Sequence, residues 1–115
     1  MNEEEKLYWY KIIFGLKKQF GKKPDINAIL YLIGMNEMGK IKEYSKDEKM
    51  DLMHIATCKL LSYQGYYKLS HLDKEGWPHY DMISPPPYLD LNQQEETLKT
   101  LIVKYYIENN LLEDL

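Results

Sequence analysis

Four stretches of this chain carry apolar residues at helical spacing, and one carries them in alternation. Tyr10, Ile13, Phe14 and Phe20 predict a first helix over Glu3–Phe20. Asn2 is placed to cap it, with Glu5 in the reciprocal capping-box position. Glu3, Glu4 and Glu5 sit at the positive end of the helix dipole, and Lys17 and Lys18 at the negative end. That placement accounts for the basic run "KKQFGKK" without a nucleic-acid partner. Gly21 is the expected closing residue. A second helix follows Pro24 and Asp25, and Gly39 ends it. Ile26, Ala28, Ile29, Leu30, Tyr31, Leu32, Ile33, Met35 and Met38 make it apolar nearly all round, so it is expected to be central or to turn one side to a partner. Gly34 lies inside it and weakens it slightly.

The third helix has the plainest start. In "SKDE", Ser45 caps and Glu48 reciprocates, and the helix is expected to run to a stop at Gly65. Met50, Met53, Ala56, Leu60 and Tyr63 form its predicted stripe, widened by Leu52 and Ile55. Alternation then takes over in "YYKLSHLDKEGWPHYDMI". A short hairpin is expected, Tyr66–Leu72 against Trp77–Ile83, turning at "DKEG". Pro78 has no N–H to donate, which makes the second arm an edge or an irregular strand. After Pro85-Pro86-Pro87, Asn92 and Glu95 offer a capping box for a fourth helix over Gln93–Asn109, with Leu98, Leu101, Ile102, Tyr105 and Ile107 on its apolar side. The expectation is one mainly α domain spanning residues 1–115. It has about four principal helices in a compact array and a short β-hairpin before the last.

Composition narrows the functional classes. At 115 residues the chain is sized for one domain, which buries only about 65% of its unfolded surface and so needs an efficient core or a partner. The longest apolar run, Ile26 to Met35, is too short for a membrane span of about 20 residues. The acidic start "MNEEEK" has no signal-peptide pattern, and a single cysteine excludes an internal disulfide. A cytoplasmic location is expected. Net charge is −3, and all 15 basic residues are lysine. Without arginine the chain has no planar fork for bidentate contacts to phosphate or guanine, so nucleic acid is disfavoured and only weak lysine-driven binding is left.

Candidate chemistry is sparse. His54 and Cys58, at i and i+4, meet on one helix face. If the hairpin folds back on that helix, His54, Cys58, His71 and His79 form a possible four-ligand zinc set, although their spacing matches no finger or ribbon. The plain alternative is a buried cysteine acting as a small hydrophobe beside a hydrogen-bonded histidine. As a nucleophile Cys58 lies mid-helix, where the dipole gives it little activation. No phosphate loop, zinc-protease helix or serine-hydrolase elbow is present, and no catalytic residue is assigned. Asp81 and His79 share a face of an extended strand and are expected to pair. Eleven tyrosines suit either an interface or the rim of a small core. Trp77, His79, Tyr80, Asp81 and Tyr88 are the expected binding residues. Pro85-Pro86-Pro87-Tyr88 has the form of a PPxY ligand, but prolines at this point also make a low-entropy strut into the fourth helix.

The block "EKMDLMHIATCKLLSYQGYY", followed by "EGWPHYD", resembles a family of short bacterial conserved proteins of uncharacterised function. The likeness covers Glu48 to Asp81 closely, and the second and fourth helices more loosely. That family is mainly helical and known chiefly through structural genomics. The resemblance implies a helical fold, and it implies no activity and no catalytic residues. The expected function is a non-enzymatic interaction or small-ligand-binding module, a homodimer. The alternatives are a metal protein built on the His/Cys set and a lysine-driven nucleic-acid binder.

Overall fold

A computed structural model describes residues 1–115. Its elements run α1 (Glu3–Phe20), α2 (Ile26–Met38), α3 (Lys46–Ser62), β1 (Tyr67–Leu72), β2 (Pro78–Met82) and α4 (Leu91–Glu108), then a 3₁₀ turn at Leu112–Asp114. This is the mainly helical architecture with a hairpin before the last helix that the pattern predicts. Its contacts group into two compact units. One is Met1–Ile26 with Tyr88–Leu115, and the other is Asn27–Pro87. The three prolines close the second unit.

In the first unit α1 packs against α4. Asn2 and Glu5 form the reciprocal cap, and Gly21 ends α1 with φ 82°. The buried face of α1 is Trp9, Ile12 and Leu16, whereas Tyr10, Phe14 and Phe20 point to solvent. The face expected from the sequence is therefore corrected. The reason is visible in the spacing. Trp9–Ile12–Leu16 and Leu7–Tyr10–Phe14 both step by three and then four residues, so the helical period admits either stripe. The indole decides it by burying the larger apolar body, and Lys99 lies over its ring at 5.6 Å. Gly15 lets the C-terminal Leu115 seat directly on α1, where any side chain would collide with it.

Helix α4 begins two residues earlier than expected. Asp90 and Gln93, not Asn92 and Glu95, make the capping box. Both pairs fit the capping pattern, and the earlier one adds hydrogen-bonded helix. Leu101, Ile102, Val103, Tyr105 and Tyr106 supply its buried side.

In the second unit α3 carries the hairpin on one side and meets α2 at Gly34, whose missing side chain admits the backbone of Leu52. Ser45 and Glu48 cap α3 as expected. The helix stops at Ser62, with Gly65 (φ 82°) two turn residues beyond its cap. Leu52, Ile55, Ala56, Cys58 and Leu60 are buried and Met50 is exposed, so the packed face is rotated from the predicted stripe. Every large apolar side chain of α2 is buried or half-buried. The core here is Tyr44, Leu52 and Ile55, with Tyr31, Met35, Met38, Trp77 and Tyr80 packed on it.

The hairpin is antiparallel, pairing Tyr67 with Met82, Lys68 with Asp81, Leu69 with Tyr80, His71 with His79 and Leu72 with Pro78. Its register shifts between Leu69 and His71. Pro78 takes the first place in its strand, where a missing donor is tolerated. No helix is long and apolar enough to cross a membrane.

Candidate functional site

The capping box that starts α3 also sets out one wall of a cleft. Glu48, Asp51 and His54 follow at three-residue steps along the helix and, with Ile55, face the turn of the hairpin. The opposite wall is Asp73, Glu75, Trp77, Pro78 and His79. The cleft measures about 480 Å³.

The turn is held by its own first residue. The Asp73 carboxylate accepts the backbone N–H of Glu75 (2.9 Å) and of Trp77 (3.0 Å). The Asp73 N–H donates to the Trp77 carbonyl at 3.0 Å, and the Gly76 N–H to the Asp73 carbonyl at 3.0 Å. Gly76 has φ 89°, a region that side-chain-bearing residues rarely adopt. His79 Nε2 lies 2.9 Å from the other Asp73 oxygen. The His79 ring stacks on His71, with centroids 4.8 Å apart and planes 3° from parallel. Trp77 is fixed from behind by an edge-on contact with Tyr44 at 6.1 Å, and Tyr44 is braced by Tyr31 at 6.5 Å.

Electrostatically the cleft is anionic. The hydrogen bond from His79, helped by the Trp77 N–H, holds the Asp73 carboxyl below its ordinary range. The Ser45 backbone hydrogen bond does the same for Glu48. A folded value below the unfolded one means Asp73's contribution is present above about pH 4 and lost as pH falls through the lower folded value. Acidification below about pH 4 is therefore expected to lower the protection of the Glu75 and Trp77 amides relative to their intrinsic exchange rates. Asp73→Asn, whose amide oxygen can still accept both N–H groups, is expected to remove that pH dependence. An unchanged profile in the variant would take Asp73 out of the account.

The structure separates the residues expected from the sequence. Trp77 and His79 line the cleft. Tyr80 lies against the core and its hydroxyl is pushed up to about 12, by burial first and then by Glu37 and Cys58. Asp81 is exposed opposite Lys68. The expected His79–Asp81 pair is replaced by His79–Asp73, because the turn brings Asp73 back over the start of β2. Tyr88 belongs to the first unit and is 94% exposed.

The four proposed zinc ligands fall into two pairs. Cys58 Sγ is 3.6 Å from His54 Nε2, and His71 stacks on His79. No three His, Cys, Asp or Glu side chains are placed to hold one metal ion. Burial pushes the Cys58 thiol up, which disfavours the thiolate a nucleophile requires. Sequence reasoning missed Glu48, Asp51, Asp73 and Glu75 as one group. The three-residue stepping of Glu48, Asp51 and His54 was available as a signal, but the turn that faces them was not. Comparison with family models, curated proteins and solved structures returns no match.

Proposed function

We propose that this protein is a non-enzymatic binding module that self-associates, with the cleft between α3 and the hairpin turn as its ligand seat. One observation carries the reading: the indole of Trp77, two imidazoles and four carboxylates share the lining of one open cleft. Carboxylates form charge-assisted hydrogen bonds with ammonium or guanidinium groups, and an indole face attracts the same cations. The seat suits a small organic cation with a short apolar body. Self-association belongs to the same reading, because α1 leaves Leu7, Tyr10 and Phe14 in solvent.

Arginine amide is the probe. Amide-shift titration of the full chain is expected to saturate, with a Kd near or below about 1 mM, at Asp51, His54, Glu75 and His79. Asp51→Asn with Glu75→Gln, both at exposed positions, is expected to weaken binding about tenfold or more. Neutral N-acetylglycinamide is expected to leave these signals in place. Unsaturable shifts, or equal response to the neutral probe, remove the cation-binding reading.

A further inference from the structure

Helix α1 buries Trp9, Ile12 and Leu16 and leaves an equally spaced stripe outside. Leu7 is 71% exposed, Tyr10 57% and Phe14 65%. Extended at both ends, the stripe reads Glu3, Leu7, Tyr10, Phe14, Lys17, stepping four, three, four and three residues. That 3.5-residue period is the seam of a two-helix coiled coil. Within its own unit the core is served by the opposite face of α1, through Trp9, Ile12 and Leu16. Large apolar side chains in contiguous exposure mark an association surface.

The charges identify the partner. Glu3 and Glu4 lie at one end of the stripe, and Lys17 and Lys18 at the other. Glu3 with Lys18, Glu4 with Lys17 and Leu7 with Phe14 all have the same midpoint, between Tyr10 and Lys11. Reversing the helix about that point puts Glu3 and Glu4 on Lys18 and Lys17 and Leu7 on Phe14, while Tyr10 crosses beside Lys11 at the centre. We infer that α1 is a homodimer interface, in which α1 of a second copy crosses antiparallel about a two-fold axis near Tyr10 and Lys11. Leu7 then packs on the partner's Phe14, and Glu3 and Glu4 face the partner's Lys18 and Lys17. The helix dipoles run opposite and each charged end meets its complement. An isologous contact of this kind closes on itself, so it stops at two copies. The inference rests on the self-association reading and names its surface.

The charges alone would satisfy each helix's own dipole, and the apolar stripe alone would fit any amphipathic partner. Their shared midpoint is what specifies a second copy. One helix pair covers less than a standard interface of about 1,600 Å², so a dimer in the micromolar range is expected.

Sedimentation velocity on the full chain tests this, with circular dichroism to confirm that each variant is folded. Phe14→Glu sits on an exposed position and is expected to weaken the dimer at least about tenfold with helix content unchanged. Two further variants reverse the ends, E3K with E4K and K17E with K18E. One stripe then carries only positive ends and the other only negative ends. Each alone is expected to be monomeric, and an equimolar mixture is expected to form dimers. A loss of α1 stability cannot produce that rescue. If the native chain stays monomeric to about 100 μM, self-association itself fails. If the native chain dimerises but Phe14→Glu does so equally well, or the mixture gives no rescue, self-association stands and the α1 surface is wrong. Monomeric native chain that captures an unrelated amphipathic helix through Phe14 also overturns the second-copy assignment.

Discussion

Replacing Tyr44 with alanine is expected to cost about 3–5 kcal/mol, a large share of the total for a domain stable by about 5–15 kcal/mol. Tyr44 is 5% exposed and lies outside every helix and strand, between α2 and α3. Its ring meets Tyr31 and Trp77 edge-on and packs with Leu52 and Ile55. Truncation leaves an unfilled cavity at the point where the loop, α2, α3 and the hairpin turn converge. A drop in the thermal midpoint of more than about 10 °C is expected. Trp77 loses its support at the same time, so ligand-induced shifts at the cleft should weaken along with stability. Tyr44→Phe keeps the rings and loses only the hydroxyl's 2.8 Å hydrogen bond to the Lys40 carbonyl. That substitution is expected to cost about 1 kcal/mol. Equal costs for the two would show that the hydrogen bond matters and the packing does not.

The second large effect has the opposite sign from ordinary helix experience. Gly→Ala inside a helix normally stabilises by about 1 kcal/mol. At Gly34 an added Cβ would stand 2.7 Å from the Leu52 carbonyl carbon and closer still to its oxygen. These are backbone atoms of α3, which cannot rotate away as a side-chain end can. Gly34→Ala is therefore expected to push α2 from α3 and to destabilise by about 2 kcal/mol or more, overpacking outweighing propensity. Thermal or urea unfolding measures it. A gain in stability would mean that α2 and α3 do not approach as closely as described.

Legibility differed from element to element for physical reasons. Helix starts at Asn2 and Ser45 were readable because a capping box is a contact between residues three apart. The same rule misplaced the start of α4, where Asp90/Gln93 and Asn92/Glu95 both satisfy it. Hairpin arms were readable from alternation and from "DKEG", and Pro78 does take a tolerated first position. Gly34 could be seen only as a weakness, because its value depends on Leu52, eighteen residues away. The face of α1 was ambiguous from the start, since two stripes share one period. Of the candidate site, Trp77 and His79 were named in advance and line the cleft. The carboxylates opposite them were not grouped, and the aspartate expected to pair with His79 was the wrong one.

The sequence by itself determined four helices, their two best caps and the hairpin before the last helix. It also determined the absence of arginine, and the matched acidic and basic ends of α1. Each of these is a local or compositional property. Only the tertiary structure decided which stripe of α1 is buried, that α2 is covered, and that Asp73 serves His79. It also decided that His54 and His79 line one anionic cleft. Those outcomes depend on which surfaces meet after the chain turns back on itself. Residue spacing allows several such meetings, and burial of the Trp9 and Tyr44 rings selects among them.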